Sequence, residues 1–255
     1  MLKNNPYMKS YLNIIKESVI DDINIEKKKH IAERIGGTYN IKTNTINCKG
    51  HKFTLTDRDL NNDRTFDFKI INASDDWSNA FEDCYLLTHL PEDFVLPDTT
   101  TDCSSMFYNC EKLKYLPEHF TIPQQVESCC LMFSGCQSLI TLPEHFTIPQ
   151  SVTDCFGMFT GCKSLTHLPQ GFTIPQGVEI CYGMFSGCLS LKQLPEGFTI
   201  PDSVTDCDYM FKCCRSLTSF PNCFTIPYNA SRISMLYDCG KLNSNNPNDY
   251  LMADV

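Results

Sequence analysis

From Phe81 onward the chain repeats itself every 26 residues. Phe81, Phe107, Phe133, Phe159, Phe185 and Phe211 keep that step, and so do Cys84, Cys110, Cys136, Cys162, Cys188 and Cys214. The leucines from Leu87 to Leu217 and the prolines from Pro91 to Pro221 and from Pro97 to Pro227 hold the same register. Five of the six units print Phe-Thr-Ile-Pro, and the first prints Phe94-Val95-Leu96-Pro97. Such a period is the signature of an array of stacked units. Each unit offers nine apolar positions: a valine, two cysteines, a methionine, two phenylalanines, two leucines and an isoleucine. So short a segment cannot bury them alone, but stacked on a copy of itself it turns each position into a ladder. The repeat therefore dictates a one-dimensional solenoid. With extended segments about 4.8 Å apart, six to seven coils give a rod of roughly 30–35 Å.

Within the unit that starts at Val152, the spacing of Cys155, Met158 and Phe159 is that of one helical face. Asp102, Ser128, Asp154 and Asp206 suit an N-cap, while Ile180 breaks that pattern. Asp83, Asn109, Gly135, Gly161 and Gly187 fall where a helix would end in a left-handed residue. A helix of about two turns is expected. Leu165 and Leu168 follow as an extended segment ended by Pro169, and Phe172-Thr173-Ile174 forms a second one ended by Pro175. Gly171 and Gly197 suit the turn between them.

The ends of the array are atypical, as end coils must be. Trp77 takes the first cysteine position and Ala80 the methionine position of the first unit. In the last unit one residue is missing between Pro227 and Met235, and Arg232 replaces the cysteine. Residues 243–255 form a polar, Asn-rich tail. Ahead of the array, residues 7–35 have helical composition, with a second helix from Lys27 to Ile35 ended by Gly36-Gly37. Alternation then takes over through Tyr39, Ile41, Ile46, Cys48, Phe53, Leu55, Phe66, Phe68 and Ile70, with turns at Asn44 and Lys49-Gly50. Residues 1–70 are read as an α+β capping segment, with a separate binding arm in residues 1–35 as the alternative. Residues 71–242 are the solenoid.

Charge narrows the function. Residues 1–70 carry a balance of +4 and residues 71–255 one of −13, so the array would repel a phosphate backbone and nucleic acid is not an expected partner. No run of 18 apolar residues occurs, so no membrane insertion is expected. The opening residues scatter Lys3, Lys9, Lys16 and Glu17 among apolar ones, and no secretory leader is expected.

The motif C-x2-M-F-x-G-C-x-S-L-x2-L-P-x2-F-T-I-P-x2-V resembles the leucine-rich repeats of BspA-like bacterial surface proteins, and is similar to the Met-Phe-x2-Cys repeats of mycoplasma-type lipoproteins. The resemblance covers about residues 76–242. It implies a right-handed leucine-rich-repeat solenoid, α/β in class, used for protein recognition and often placed on a cell surface. The stretch Tyr39-Asn40-Ile41-Lys42 … Phe53-Thr54-Leu55-Thr56 … Phe66-Asp67-Phe68-Lys69-Ile70, with the opening Tyr11-Leu12-Asn13-Ile14-Ile15-Lys16-Glu17-Ser18, looks like the entry segments of repeat proteins in large tailed phages. That second likeness would explain the missing leader. It implies a cytoplasmic location in a host cell, or a virion-associated one, with a cell-surface location as the alternative.

The 16 cysteines admit three chemical readings. Zinc needs sulfurs about 4 Å apart, whereas two cysteines seven residues apart on a helix lie roughly 10 Å apart. Disulfides between rungs are within reach, but stacked side chains point the same way. A nucleophilic thiol needs an electropositive, polar setting, and these registers are apolar. The cysteines are therefore read as small buried hydrophobes. His119 and His145, beside Glu118 and Glu144, read as a solvated stripe rather than a metal site. Glu92, Glu118, Glu144 and Glu196 form an acidic row, read as a solvated face, with a groove for a basic partner as the alternative. No phosphate loop, dinucleotide fingerprint or nucleophile elbow is present, so no catalytic residue and no cofactor is expected. Around the fixed core the outward residues vary, including Phe156, Tyr182 and Tyr209 on the presumed helix face. The row expected to bind a partner is His89, Tyr115, Thr141, His167 and Gln193, on the first extended segment. The expected function is a non-enzymatic protein-interaction module, with a structural or adhesive component of a virion or cell surface as the alternative.

Overall fold

The computed structural model describes residues 75–242 apart from 86, 91, 223 and 241. Ahead of them it describes 25–26, 28–30, 32–33, 37–42, 45–48, 51–55 and 68–72. The expected first helix, the turns at Asn44 and Lys49-Gly50, Phe66 and the tail lie outside the described residues.

The apolar positions of the repeat are buried, except that Ile226 in the last unit is half-buried. In the unit from Val152, the side chains of Val152, Cys155, Met158, Phe159, Cys162, Leu165, Leu168, Phe172 and Ile174 all point inward. The two phenylalanine registers form two ladders. Phe133, Phe159 and Phe185 stack with centroids 5.5 and 5.6 Å apart and planes within 5°. Phe146 and Phe172 do so at 6.3 Å, and Phe159 meets Phe172 edge to face at 6.2 Å and 65°. Offset stacks within each ladder and T-shaped contacts between them are the two arrangements that ring quadrupoles favour.

The expected two-turn helix does not form. Its residues fold instead as a run of tight turns stitched to the next coil. Alternate N–H groups, those of Cys155, Gly157, Phe159 and Gly161, donate across to the carbonyls of Ile180, Tyr182, Met184 and Ser186 at 2.7–3.0 Å. The N–H groups of Met158, Thr160 and Cys162 close turns onto the carbonyls three residues back. Two left-handed residues per unit impose this path. Gly157 and Gly161 have φ of 55° and 72°, and the same two registers hold Ser105 and Asn109, Leu131 and Gly135, Gly183 and Gly187, and Tyr209 and Cys213, all at positive φ. A helix admits no such residues in its interior. The cap residues keep their role in altered form: Asp102, Asp154 and Asp206 accept the N–H of the residue two ahead at 2.7–2.9 Å, as Asx turns.

The extended segments are stitched in the opposite sense. Thr153 donates back to Glu127 and Thr166 to Ile140. Strands in the usual sense do not develop there; the parallel pairing comes as isolated bridges, such as Asp154↔Ile180 and His167↔Gln193. The prolines mark corners. The carbonyls of Pro169 and Pro175 accept the N–H groups of Phe172 and Val178, three residues on. The shortened last unit keeps register, for Cys207, Tyr209 and Phe211 still donate to Ser231, Ile233 and Met235.

Ahead of the array, Ala32 and Glu33 have helical backbone, and the Gly37 N–H donates to the Ala32 carbonyl at 2.8 Å. Four strands follow, β1 (Thr38–Asn40), β2 (Thr45–Cys48), β3 (His51–Leu55) and β4 (Phe68–Asn72), in an antiparallel sheet of order β1-β2-β3-β4. In the ladder register Tyr39 pairs with Ile46, Ile46 with Phe53 and Phe53 with Ile70. Ile41, expected to continue that alternation, lies in a turn and is 55% exposed. Ala32 and Ile46 belong to the same buried cluster as Trp77 and Phe81. Trp77 is fully buried and meets Phe94 edge to face at 6.0 Å.

Candidate functional site

The first extended segment projects the row singled out from sequence. His89 bridges to Tyr115 and Gln193 bridges to His167 and Ser219, all in parallel, so these residues stack in one register. Leu165 and Leu168 anchor each such segment in the core, which leaves the side chains between them to face outward. Tyr115 is 50% exposed, His167 and Gln193 are exposed, and His89 and Thr141 are half-buried. Neighbours hold the imidazoles in place. Thr88 Oγ1 lies 2.8 Å from His89 Nδ1, and Thr166 Oγ1 lies 2.9 Å from His167 Nδ1. Thr141 Oγ1 donates to the Leu142 carbonyl and lies 3.4 Å from His167 Nε2. The row is a set of fixed polar and aromatic groups on a rigid ladder.

A second feature lies on the turn segments. There a cleft of about 480 Å³ opens over Gly157 and Gly183. Both glycines are buried and left-handed, and the same register holds Leu131 before them and Tyr209 after them. Two bare backbones between two large side chains make a hollow closed along the coil axis. The Leu131 side chain leans over it: a Cβ on Gly157 would stand 2.7 Å from Leu131 Cδ2. Phe156 and Tyr182 line one row, stacked at 4.9 Å and 4°, and Tyr182 meets Tyr209 at 5.3 Å. Thr160, Ser186 and Lys212 line another. Thr160 Oγ1 donates to the Gly183 carbonyl at 2.6 Å, and Lys212 Nζ sits 4.9 Å from the Tyr209 ring centre and 5.7 Å from that of Tyr237. Phe156, Tyr182 and Tyr209, variable in the sequence, stand on tight turns and not on the expected helix. The signal for the hollow was a pair of successive glycines in a register otherwise filled by side chains.

The fully buried thiols are held in apolar ladders. In the second cysteine ladder each sulfur from Cys110 onward donates to a phenylalanine carbonyl of the preceding coil, as Cys162 does to Phe133 at 3.2 Å and Cys188 to Phe159 at 3.3 Å. Burial pushes the Cys129 and Cys181 thiols well above the ordinary range, with neighbouring thiols and aspartates adding to the shift. Burial first and Asp102 second push Cys103 up to about 12, and burial with Asp206 pushes Cys207 up to about 12. At neutral pH these groups are protonated and inert. Among the described residues no cluster of three metal-ligating side chains occurs. His119 and His145 are exposed, as are Glu118 and Glu144.

The BspA type leucine rich repeat region matches in six copies, over residues 77–218 and 155–249. A leucine-rich-repeat protein of T. pallidum has a similar fold, with a TM-score of 0.51 at 20% identity over 70% of this chain and 75% of that one. A leucine-rich cell surface protein of Faecalibacterium prausnitzii gives a TM-score of 0.41 at 25% identity over 78% of this chain and 53% of that one. No curated protein matches the chain in sequence.

Proposed function

The chain belongs to the BspA-type leucine-rich-repeat family, and from that premise we propose that it is a non-enzymatic module for binding another protein. The observation that carries this reading is the outward row on the first extended segment. A core repeated almost without change holds side chains that differ from coil to coil, among them Tyr115 at 50% exposure. His89, Tyr115, Thr141, His167 and Gln193 form the contact row in this proposal. Tyr115 and His167 are its anchors, because an amphipathic ring on a fixed backbone engages a partner at low entropic cost. Six to seven coils present the row, and the N-terminal helix and strands close the first coil over Trp77.

The test is affinity capture with the full chain, followed by titration of the captured partner. The double substitution Tyr115→Ala with His167→Ala should weaken binding by about 2 kcal/mol or more, roughly thirtyfold, with little change in Tm. Undiminished binding by that double variant would refute the row, and failure to capture any saturable partner would refute the module.

A further inference from the structure

We propose that the cleft over Gly157 and Gly183 is a second binding site, one that takes an aromatic side chain of a partner polypeptide together with an adjoining carboxylate. It goes beyond the contact row, uses a different segment of each coil, and stands or falls independently of it.

Shape gives the first argument. The hollow exists because Gly157 and Gly183 lack side chains where Leu131 and Tyr209 have them. It is therefore two coils long and stopped at both ends, the dimension of a single large side chain rather than of an extended strand. Its floor is rigid, since the Gly157 and Gly183 N–H groups are bonded to the next coil at 2.8 Å.

Ring geometry selects the occupant. Phe156 and Tyr182 stack face on face at 4.9 Å and 4°, and the Tyr209 ring lies 5.3 Å from that of Tyr182, tilted by 58°. The stack uses one face of Phe156 and one of Tyr182 and lines the rings up along the coil axis, so the pair turns ring edges to the cleft. Ring edges carry the positive end of the quadrupole and favour the face of an inserted aromatic ring. A saccharide, which needs open ring faces to lie on, fits this row less well.

Charge fixes the second group. The array is acidic, yet the cation at this cleft rests on the Tyr209 and Tyr237 rings and meets no carboxylate among the described residues. Arg215 is held by Asp238 at 2.7 and 2.8 Å, and Lys163 by Gln137 at 2.9 Å. Lys212 has no ion pair among the described residues and rests over Tyr209. A carboxylate beside the inserted ring would pair with that ammonium in a half-buried setting, where a charge-assisted bond is strong.

The probe is the blocked peptide acetyl-Gly-Phe-Glu-Gly-amide, added to the ¹⁵N-labelled full chain, with the Phe-Gln and Ala-Glu peptides as controls. The Gly157 and Gly183 amide signals should move saturably with a Kd of about 1 mM for Phe-Glu, the affinity of one anchor. Binding of Phe-Gln should be about fivefold weaker, and Ala-Glu should give no saturable shift. Gly183→Asn puts into the floor a residue type that the same register already accepts at Asn79, φ 56°. Its Cβ would meet only ordinary contacts, with Thr160 Oγ1 at 3.6 Å and Ser186 Cβ at 3.8 Å. That variant should keep a dispersed spectrum and lose Phe-Glu binding, while Lys212→Gln should reduce Phe-Glu to the level of Phe-Gln. The site is overturned by the absence of saturable shifts, by equal shifts with Ala-Glu, or by undiminished Phe-Glu binding in either variant. The Tyr115→Ala, His167→Ala protein should bind the peptide like wild type.

Discussion

Single residues in this array are read most clearly by comparison within their own register. Thr100 stands where later coils hold Val126, Val152, Val178 and Val204. It is fully buried, and its hydroxyl has no hydrogen-bond partner among the described residues. A hydroxyl taken out of water without compensation costs about 1–3 kcal/mol. Thr100→Val keeps the shape and removes that penalty, so it should raise stability by about 1–2 kcal/mol, read as a higher urea midpoint. A lower midpoint would mean that the hydroxyl is satisfied after all. The cysteine and phenylalanine rungs should differ in the opposite direction. Cys162→Ala removes one sulfur and its bond to Phe133 and should cost about 1–2 kcal/mol, whereas Phe159→Ala opens a hole in two aromatic ladders and should cost about 3–5. Equal losses would show that the ladders relax around a missing ring.

At the scale of the element, the turn run explains both what sequence discloses and what it conceals. The inward residues Cys155, Met158, Phe159 and Cys162 follow the i, i+3, i+4, i+7 spacing of a helix. Successive tight turns return the chain to one face at nearly the same interval, so periodicity alone does not separate the two. What does separate them is the second left-handed register, at Ser105, Leu131, Gly157, Gly183 and Tyr209. Its mixed composition hides its conformation. The first such register, rich in Gly and Asn, was legible and fell at positive φ in every place expected, from Asp83 to Gly187. The ladders were legible because burial repeats with the period, and the buried Trp77 because it takes a core register in the first coil. The cleft was not, because it arises from what two coils lack relative to their neighbours. Left-handed backbone costs a residue with a Cβ about 1–2 kcal/mol, less the extra entropy that glycine loses on folding. Cys213, at φ 60°, holds the place that Gly135, Gly161 and Gly187 hold in other coils. Cys213→Gly should therefore stabilise the array by about 0.5–1 kcal/mol in thermal or urea unfolding. A loss of stability would show that the Cys213 side chain contributes more than its backbone strain removes.

For the whole molecule, the ladders make one group's chemistry collective. Cys103, Cys129, Cys136, Cys155, Cys162, Cys181, Cys188, Cys207 and Cys214 all have thiols raised above their usual value of 9.0, chiefly by burial. The folded protein keeps these protons at a pH where the unfolded chain releases them. Above the unfolded value the unfolded state therefore binds fewer protons, and stability falls as pH rises until the folded thiols themselves ionise. Each thiol contributes a slope of about 1.4 kcal/mol per pH unit, so nine together exceed about 10 kcal/mol per unit. A typical domain has only about 5–15 kcal/mol in all. The array should thus hold its urea midpoint up to about pH 8, lose it steeply between about pH 9 and 11, and unfold there without any denaturant. Because Cys103 and Cys207 are pushed up to about 12, neither offers a folded-state thiolate to check the fall within that window. The double variant Cys155→Ala with Cys181→Ala should be less stable at neutral pH yet shallower in its alkaline decline by about 3 kcal/mol per pH unit, which separates the thiols from ionising tyrosines. A urea midpoint that stays constant from pH 8 to about 10.5 would mean that the buried ladders ionise no less readily than the unfolded chain, and the collective account would be wrong.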